Sequence, residues 1–227
     1  MKITKCICLT WLAGLLCLVT GCSKDEDSAT VKDADGNEYS TVKIGAQIWM
    51  KENLKTTKYN DGSTIADHGD DRTGWMTTTS GAYAWYNNDN TNKSMYGALY
   101  NGYAVSTDRL CPAGWHVPAI DKWLVLLNYL GGVDIAGGKL KEKGTTHWQS
   151  PNTSATDEFG FTALPGGRRD NIGWYDLKGN QGWWWSSTDN TTDPGYSSHV
   201  YIDNAEAGIY YYSLEKTYGL SVRCLKD

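Results

Sequence analysis

The chain has 227 residues and an acidic balance, 21 Lys and Arg against 26 Asp and Glu, for a formal net charge of −5. No basic stripe interrupts it, which argues against nucleic acid as a partner. With 11 Trp, 15 Tyr and 25 Gly but only 2 Phe, it is composed for half-buried aromatic positions and ordered loops, and its length suits one domain with an N-terminal appendage.

The first residues read as an address. Lys2 and Lys5 precede an apolar stretch from Ile7 to Val19, too short to span a bilayer comfortably. It ends in Leu18-Val19-Thr20-Gly21-Cys22, which resembles a bacterial lipobox, where cleavage precedes the cysteine and the thiol takes lipid. The expectation is a signal peptide over residues 1–21, lipid on Cys22, and the membrane as partner through that lipid. An ordinary signal peptide with a chance cysteine is the alternative. Residues 22–30 are charged and read as a flexible acidic tether. Their start, Cys22-Ser23-Lys24-Asp25-Glu26, looks like the export signal of Bacteroidota surface lipoproteins, which implies an outer-membrane, cell-surface location. Cys6, Cys8 and Cys17 leave with the leader, so Cys111 and Cys224 remain. In an oxidising compartment they are expected to pair; a reactive thiol is the alternative. Closing so long a loop stabilises by on the order of 4–5 kcal/mol.

Beyond residue 31 the elements are short. Residues 31–54 read as strands, with a turn at Asp35-Gly36 and another strand at Gln47–Met50. Asp33, Asp35 and Asn37 are spaced for a turn rather than an EF-hand. Residues 55–110 are loop-rich, and Asp67, His68, Asp70 and Asp71 read as an acidic loop rather than a metal cluster. After Pro118, the residues Trp123, Leu126, Leu127 and Leu130 repeat at helical spacing, and Gly131-Gly132 stops the helix. A second short helix is expected over 139–142, after Gly137-Gly138, and strands at Phe161–Leu164, Val200–Ile202 and Leu220–Cys224. Gly182-Trp183-Trp184-Trp185-Ser186-Ser187-Thr188 poses the sharpest question. A strand turns Trp183 and Trp185 one way and Trp184 the other. Either both faces are covered, or one is a platform for a ligand.

Seven blocks in order are familiar: TVKIGAQIWMKENLKTTKYNDGSTI (41–65), YGALYNGYAV (96–105), LCPAGWHVP (110–118), GGKLKEKGTTHWQSPN (137–152), FTALPGGRR (161–169), GWWWSST (182–188) and GLSVRCLKD (219–227). From about residue 31 to its end, the chain resembles the Fibrobacter succinogenes major paralogous domain family of exported Bacteroidota proteins. That family looks related to C-type-lectin-like and sulfatase-modifying-enzyme folds, with Trp115-His116-Val117-Pro118 similar to the helix start of the latter. The resemblance implies an α+β domain over 31–227 with a small twisted antiparallel sheet, two helices and long ordered loops. It also makes the tryptophan run mostly structural, with Trp183 the member that reaches a ligand surface if any does. Ala119 departs from the family's Ser at the helix start, so that start is expected to be weaker by about 1 kcal/mol.

No paired-carboxylate motif, nucleophile elbow or HExxH is present, and neither a cofactor nor a metal is expected. The expected function is a non-catalytic binding or adhesion module for a glycan or a surface protein. A structural or tip subunit of a surface assembly and an exported glycan-metabolism enzyme are the alternatives. The variable surface is expected over 189–218, rich in Tyr, Ser, Asn, Asp and Gly. Tyr196, His199, Tyr201, Tyr210, Tyr211 and Tyr212 are its candidate contacts, together with Trp183. In Tyr210-Tyr211-Tyr212, alternation predicts one face packed on the sheet and the other free. Plain polar hairpins are the competing reading of the same segment.

Overall fold

The computed structural model describes residues 30–227. The leader, Cys22 and nearly all of the tether lie outside these residues. Thr30 does not belong to the tether: it opens the strand Thr30–Lys32.

The fold is mixed α+β, with three sheets rather than one small one. The first sheet is antiparallel and orders Thr30–Lys32, Glu38–Ile44, Gln47–Met50, Leu225–Lys226 and Trp115–His116. Its first turn forms as the sequence predicts. The Asp33 carboxylate accepts the backbone N–H groups of Asp35 and Asn37, each at 2.9 Å. Gly36 supplies the left-handed residue at φ 80°. The second sheet has six short strands, Ala66–Asp67, Ala82–Ala84, Leu99–Asn101, Gly219–Leu220, Arg168–Arg169 and Tyr175–Asp176, with one parallel pair at its edge. The third is an antiparallel meander of Gln181–Asp189, Tyr196–Asp203 and Ile209–Glu215.

The predicted closing strand over 220–224 is broken. Gly219–Leu220 pairs in the second sheet, Ser221 bridges to Trp184 of the third, and Leu225–Lys226 pairs in the first. One segment thus stitches all three sheets, so no single ladder runs through it. Phe161–Leu164 is not a strand either. Only Ala163 makes a bridge, to Lys141, while the Phe161 ring packs edge-on against Trp49 at 5.8 Å.

The helix after Pro118 runs Ile120–Tyr129 and buries Trp123, Leu126 and Leu127, with Leu130 buried at its end. Ala119 makes no side-chain cap. Instead the Thr188 hydroxyl accepts the Ile120 N–H at 2.9 Å, so the tryptophan block satisfies a helix terminus far away in sequence. The second helix is Val133–Leu140, six residues earlier in its start than expected, and it contains Gly137 and Gly138. These glycines are not breakers. A Cβ on Gly137 would stand 2.0 Å from the Gly208 carbonyl oxygen, and one on Gly138 2.6 Å from that of Ser154. Backbone approaches the helix too closely for any other residue.

Fully buried Lys141 closes that helix, donating to the carbonyls of Asp203 at 2.9 Å and Glu206 at 2.7 Å. Burial lowers its pKa to about 8. Helix and lysine together pin the connection between the second and third meander strands. Cys111 and Cys224 are joined in a disulfide, with Cα atoms 6.0 Å apart, inside an aromatic core that contains Tyr39, Tyr100 and Trp185.

Candidate functional site

The site is built on the meander. Trp183, Tyr201 and Tyr210 are opposite one another across the three strands, and so are Trp185, His199 and Tyr212. Alternation puts both sets on one face. Trp184, Val200 and Tyr211 make the row on the other face.

The tryptophan run resolves accordingly. Trp184 is fully buried in the core of Trp49, Trp123 and Phe161, and its indole N–H donates to Asn53 Oδ1 at 2.8 Å. The buried Arg223 guanidinium donates to that same oxygen at 2.8 Å. Trp185 is fully buried in the other core and donates to the Tyr100 carbonyl at 2.7 Å. Trp183 is 8% exposed and lines a groove. Two of the three are structural, and the third reaches a surface.

Antiparallel strands lie about 4.8 Å apart, so rings standing at opposed positions stack at that spacing. The Trp183 and Tyr201 centroids are 4.6 Å apart at 16°, and those of Tyr201 and Tyr210 5.1 Å apart at 26°. His199 stacks on Trp183 at 5.0 Å, and Tyr212 stands 6.5 Å from His199. On its other side, Trp183 meets the Arg168 guanidinium at 4.6 Å, because Gly167 bridges Gly182 and brings the next segment alongside. A cation, an indole and two phenols therefore cross the sheet in one row, Arg168–Trp183–Tyr201–Tyr210. Beside it lies an open groove of about 460 Å³, walled by Arg168, Leu177, Gln181, His199, Tyr212 and Leu214 among others.

The charges of this face lie at the two ends of the row, Arg168 with Asp176 at one and Glu206 beside Tyr210 at the other. Asp176 accepts from Arg168 Nε at 3.0 Å and Nη2 at 3.4 Å. His199 is 2% exposed, and its Nδ1 has no hydrogen-bond partner. Burial, and secondarily the Arg168 charge, lower its pKa to about 4, so the imidazole is neutral at physiological pH. At the outer strand, the Tyr210 hydroxyl donates to the Glu206 carboxylate, which pushes the phenol up to about 12.

Of the sequence candidates, Trp183, His199, Tyr201, Tyr210 and Tyr212 come together. Tyr196 does not. It begins the middle strand, away from the stack, and its hydroxyl donates to Glu215 at 3.1 Å. Tyr211 belongs to the opposite row and is still 45% exposed, so the expected contrast of one packed and one free tyrosine face does not hold. This outermost strand projects past the core on both sides. Arg168, Leu177, Gln181 and Leu214 were not singled out from sequence. Arg168 stands in the quoted FTALPGGRR block, but nothing local shows that it lies beside Trp183. In the acidic loop, Asp71 caps the short helix Arg72–Thr77. Among the described residues, no group of His, Cys, Asp or Glu is placed to hold a metal ion.

A small mixed domain with short sheets, long ordered loops and an aromatic groove does not by its fold define one activity. The model of the Fibrobacter succinogenes major domain matches residues 42–226, and the chain belongs to that family. The family description names a domain and no activity. No curated protein and no solved structure matches the chain.

Proposed function

We propose that this protein is a lipid-anchored, surface-exposed outer-membrane lipoprotein that acts as a non-catalytic binding module, with a C-type-lectin-like arrangement of its sheets and loops. The observation that carries the reading is the groove. Its aromatic side chains are rigid, cross-braced by stacking and backed by a full core, so they offer contact area at little entropic cost. Most ring faces there are covered by neighbouring rings. The groove therefore presents ring edges, hydroxyls and one guanidinium, a surface suited to a glycan or protein partner and not to covalent chemistry. The lipobox-like LVTGC and the acidic residues after it support anchoring and export.

The test is a screen of the full-length protein in detergent against glycans and cell-surface proteins, repeated with Tyr201→Ala and Tyr212→Ala. A partner whose affinity falls by about tenfold or more in these variants supports the reading. Partners that bind both variants unchanged sink it. Replacing Cys22 with Ser should release the protein from membranes on fractionation, and complete retention there removes the anchor from the proposal.

A further inference from the structure

A second recess lies away from the groove, between the loop after Ala66–Asp67 and the turn before Tyr175–Asp176. It has a volume of about 280 Å³ and is lined by Asp70, Arg72, Asn87, Asn88, Trp174 and Tyr175, with Gly69 and Gly173 at its walls. That is at the small end of ligand pockets, about 300–1,000 Å³, and admits one ring-sized group.

Trp174 is 57% exposed, unlike the buried indoles of both cores. It is nevertheless held. The Arg72 guanidinium lies 3.8 Å from its ring centre, and Arg72 is fixed in turn by hydrogen bonds to the Ile172 carbonyl at 3.0 Å and 3.3 Å. The backbone under Trp174 is a closed turn in which Asp170 accepts from Trp174 N–H at 2.7 Å and from Ile172 N–H at 3.1 Å. With one face covered by the guanidinium and the side chain still largely exposed, the uncovered face is a flat apolar platform.

The walls are also built rather than incidental. Arg169 is fully buried and donates to the carbonyls of His68 at 2.7 Å, Gly69 at 3.2 Å and Gly173 at 3.3 Å. One side chain thus ties both loops that enclose the recess. Asn87 and Asn88, which line the same recess, are consecutive left-handed residues at φ 54° and 53°. A Cβ on Gly69 would stand 1.9 Å from Asn88 Oδ1, so the Asn88 side chain lies directly against the Gly69 backbone. The carboxylate of Asp70 and the amides of Asn87 and Asn88 enter no side-chain hydrogen bond with the described residues, and all three residues are exposed.

From this arrangement we propose that the recess is a monosaccharide subsite that stacks the apolar face of a pyranose ring on Trp174 and hydrogen-bonds its hydroxyls with Asp70, Asn87 and Asn88. A pyranose has what the recess complements: one face of C–H groups, and an equator of hydroxyls that both donate and accept. Amides supply both roles and a carboxylate supplies acceptors. A flat cation is disfavoured because the Arg72 guanidinium already covers one face of the ring. The site does not depend on the groove, which presents ring edges where this recess presents a ring face.

The experiment is saturation-transfer NMR on the full-length protein in detergent. The probes are the methyl α- and β-pyranosides of glucose, galactose and mannose. At least one should bind weakly, with saturation strongest on the protons of one ring face. Trp174→Ala should weaken it about tenfold or more, while Trp174→Phe, which keeps a ring, should retain most of it. Asn88→Gly, which keeps the left-handed backbone and removes the amide, should weaken binding without lowering the melting temperature, and Tyr212→Ala in the groove should leave it intact. The proposal fails if no pyranoside binds, if Trp174→Ala binds as the native protein does, or if Tyr212→Ala abolishes the signal. In that last case the sugar occupies the groove. Loss of a groove partner in Tyr212→Ala with pyranoside binding intact separates the two sites.

Discussion

Acidification should destabilise this protein through one histidine. His199 has a folded pKa lowered from 6.5 to about 4, by burial first and the Arg168 charge second. Its Nδ1 is buried without a partner. Between those two values the unfolded chain binds a proton that the folded chain refuses, so stability rises with pH across the window and is lost as pH falls through it. Each unit of difference is worth about 1.4 kcal/mol. At pH 5 the linkage amounts to about 2 kcal/mol, and near pH 4 to about 3 kcal/mol. His199→Phe keeps a flat ring in the stack between Trp183 and Tyr212 and removes the titration. The assay is urea unfolding of both proteins at pH 7.5 and pH 5. The variant's absolute stability also carries packing strain, but strain does not change with pH, so the quantity to compare is the loss between the two pH values. The native protein should lose about 2 kcal/mol more than His199→Phe. Equal losses would mean that the imidazole accepts its proton freely, and that the neutral, buried His199 at the centre of the stack is wrong.

Two further outcomes follow from the same packing. Trp184→Ala should destabilise by about 3–5 kcal/mol, as a core aromatic deletion that also takes one donor from Asn53 Oδ1, whereas Tyr212→Ala, at a side chain 61% exposed, should stay within about 0.5 kcal/mol; denaturant melts of both decide it. Reducing the Cys111–Cys224 disulfide should cost on the order of 4 kcal/mol, because it closes a 113-residue loop, and should lower the melting temperature without changing partner preference. A reduced protein that melts with the native one would show that the bond constrains little.

Local chemistry made several features legible without coordinates. The Asp35-Gly36 turn, the strand Gln47–Met50 and the helix carrying Trp123, Leu126 and Leu127 follow from interactions within a few residues, where side-chain spacing and backbone preference decide the outcome. The pairing of Cys111 with Cys224 could be reached because the other four cysteines were assigned to the leader and its lipid. The family was legible too, since seven blocks in order leave little freedom. The alternation in Trp183-Trp184-Trp185 established that the indoles divide between two faces.

What each face meets was decided only in three dimensions. Trp184 finds Asn53, and Trp183 finds Arg168, because separate segments of the chain are brought alongside, and no spacing in the chain encodes that. The same holds for the glycines. Gly137 and Gly138 look like breakers in sequence, yet they sit inside a helix because the Gly208 and Ser154 backbones press against it. Ala119 looks like a missing cap, yet Thr188 supplies an acceptor from another sheet. Of the seven residues proposed for binding, Tyr196 and Tyr211 fell outside the stack, because composition marks a segment as adaptable while strand register alone determines which of its rings stand together. Trp174 went unremarked in sequence among eleven tryptophans. Its exposure results from a turn locked by Asp170 and a guanidinium laid behind the ring, and those contacts exist only once the chain has folded.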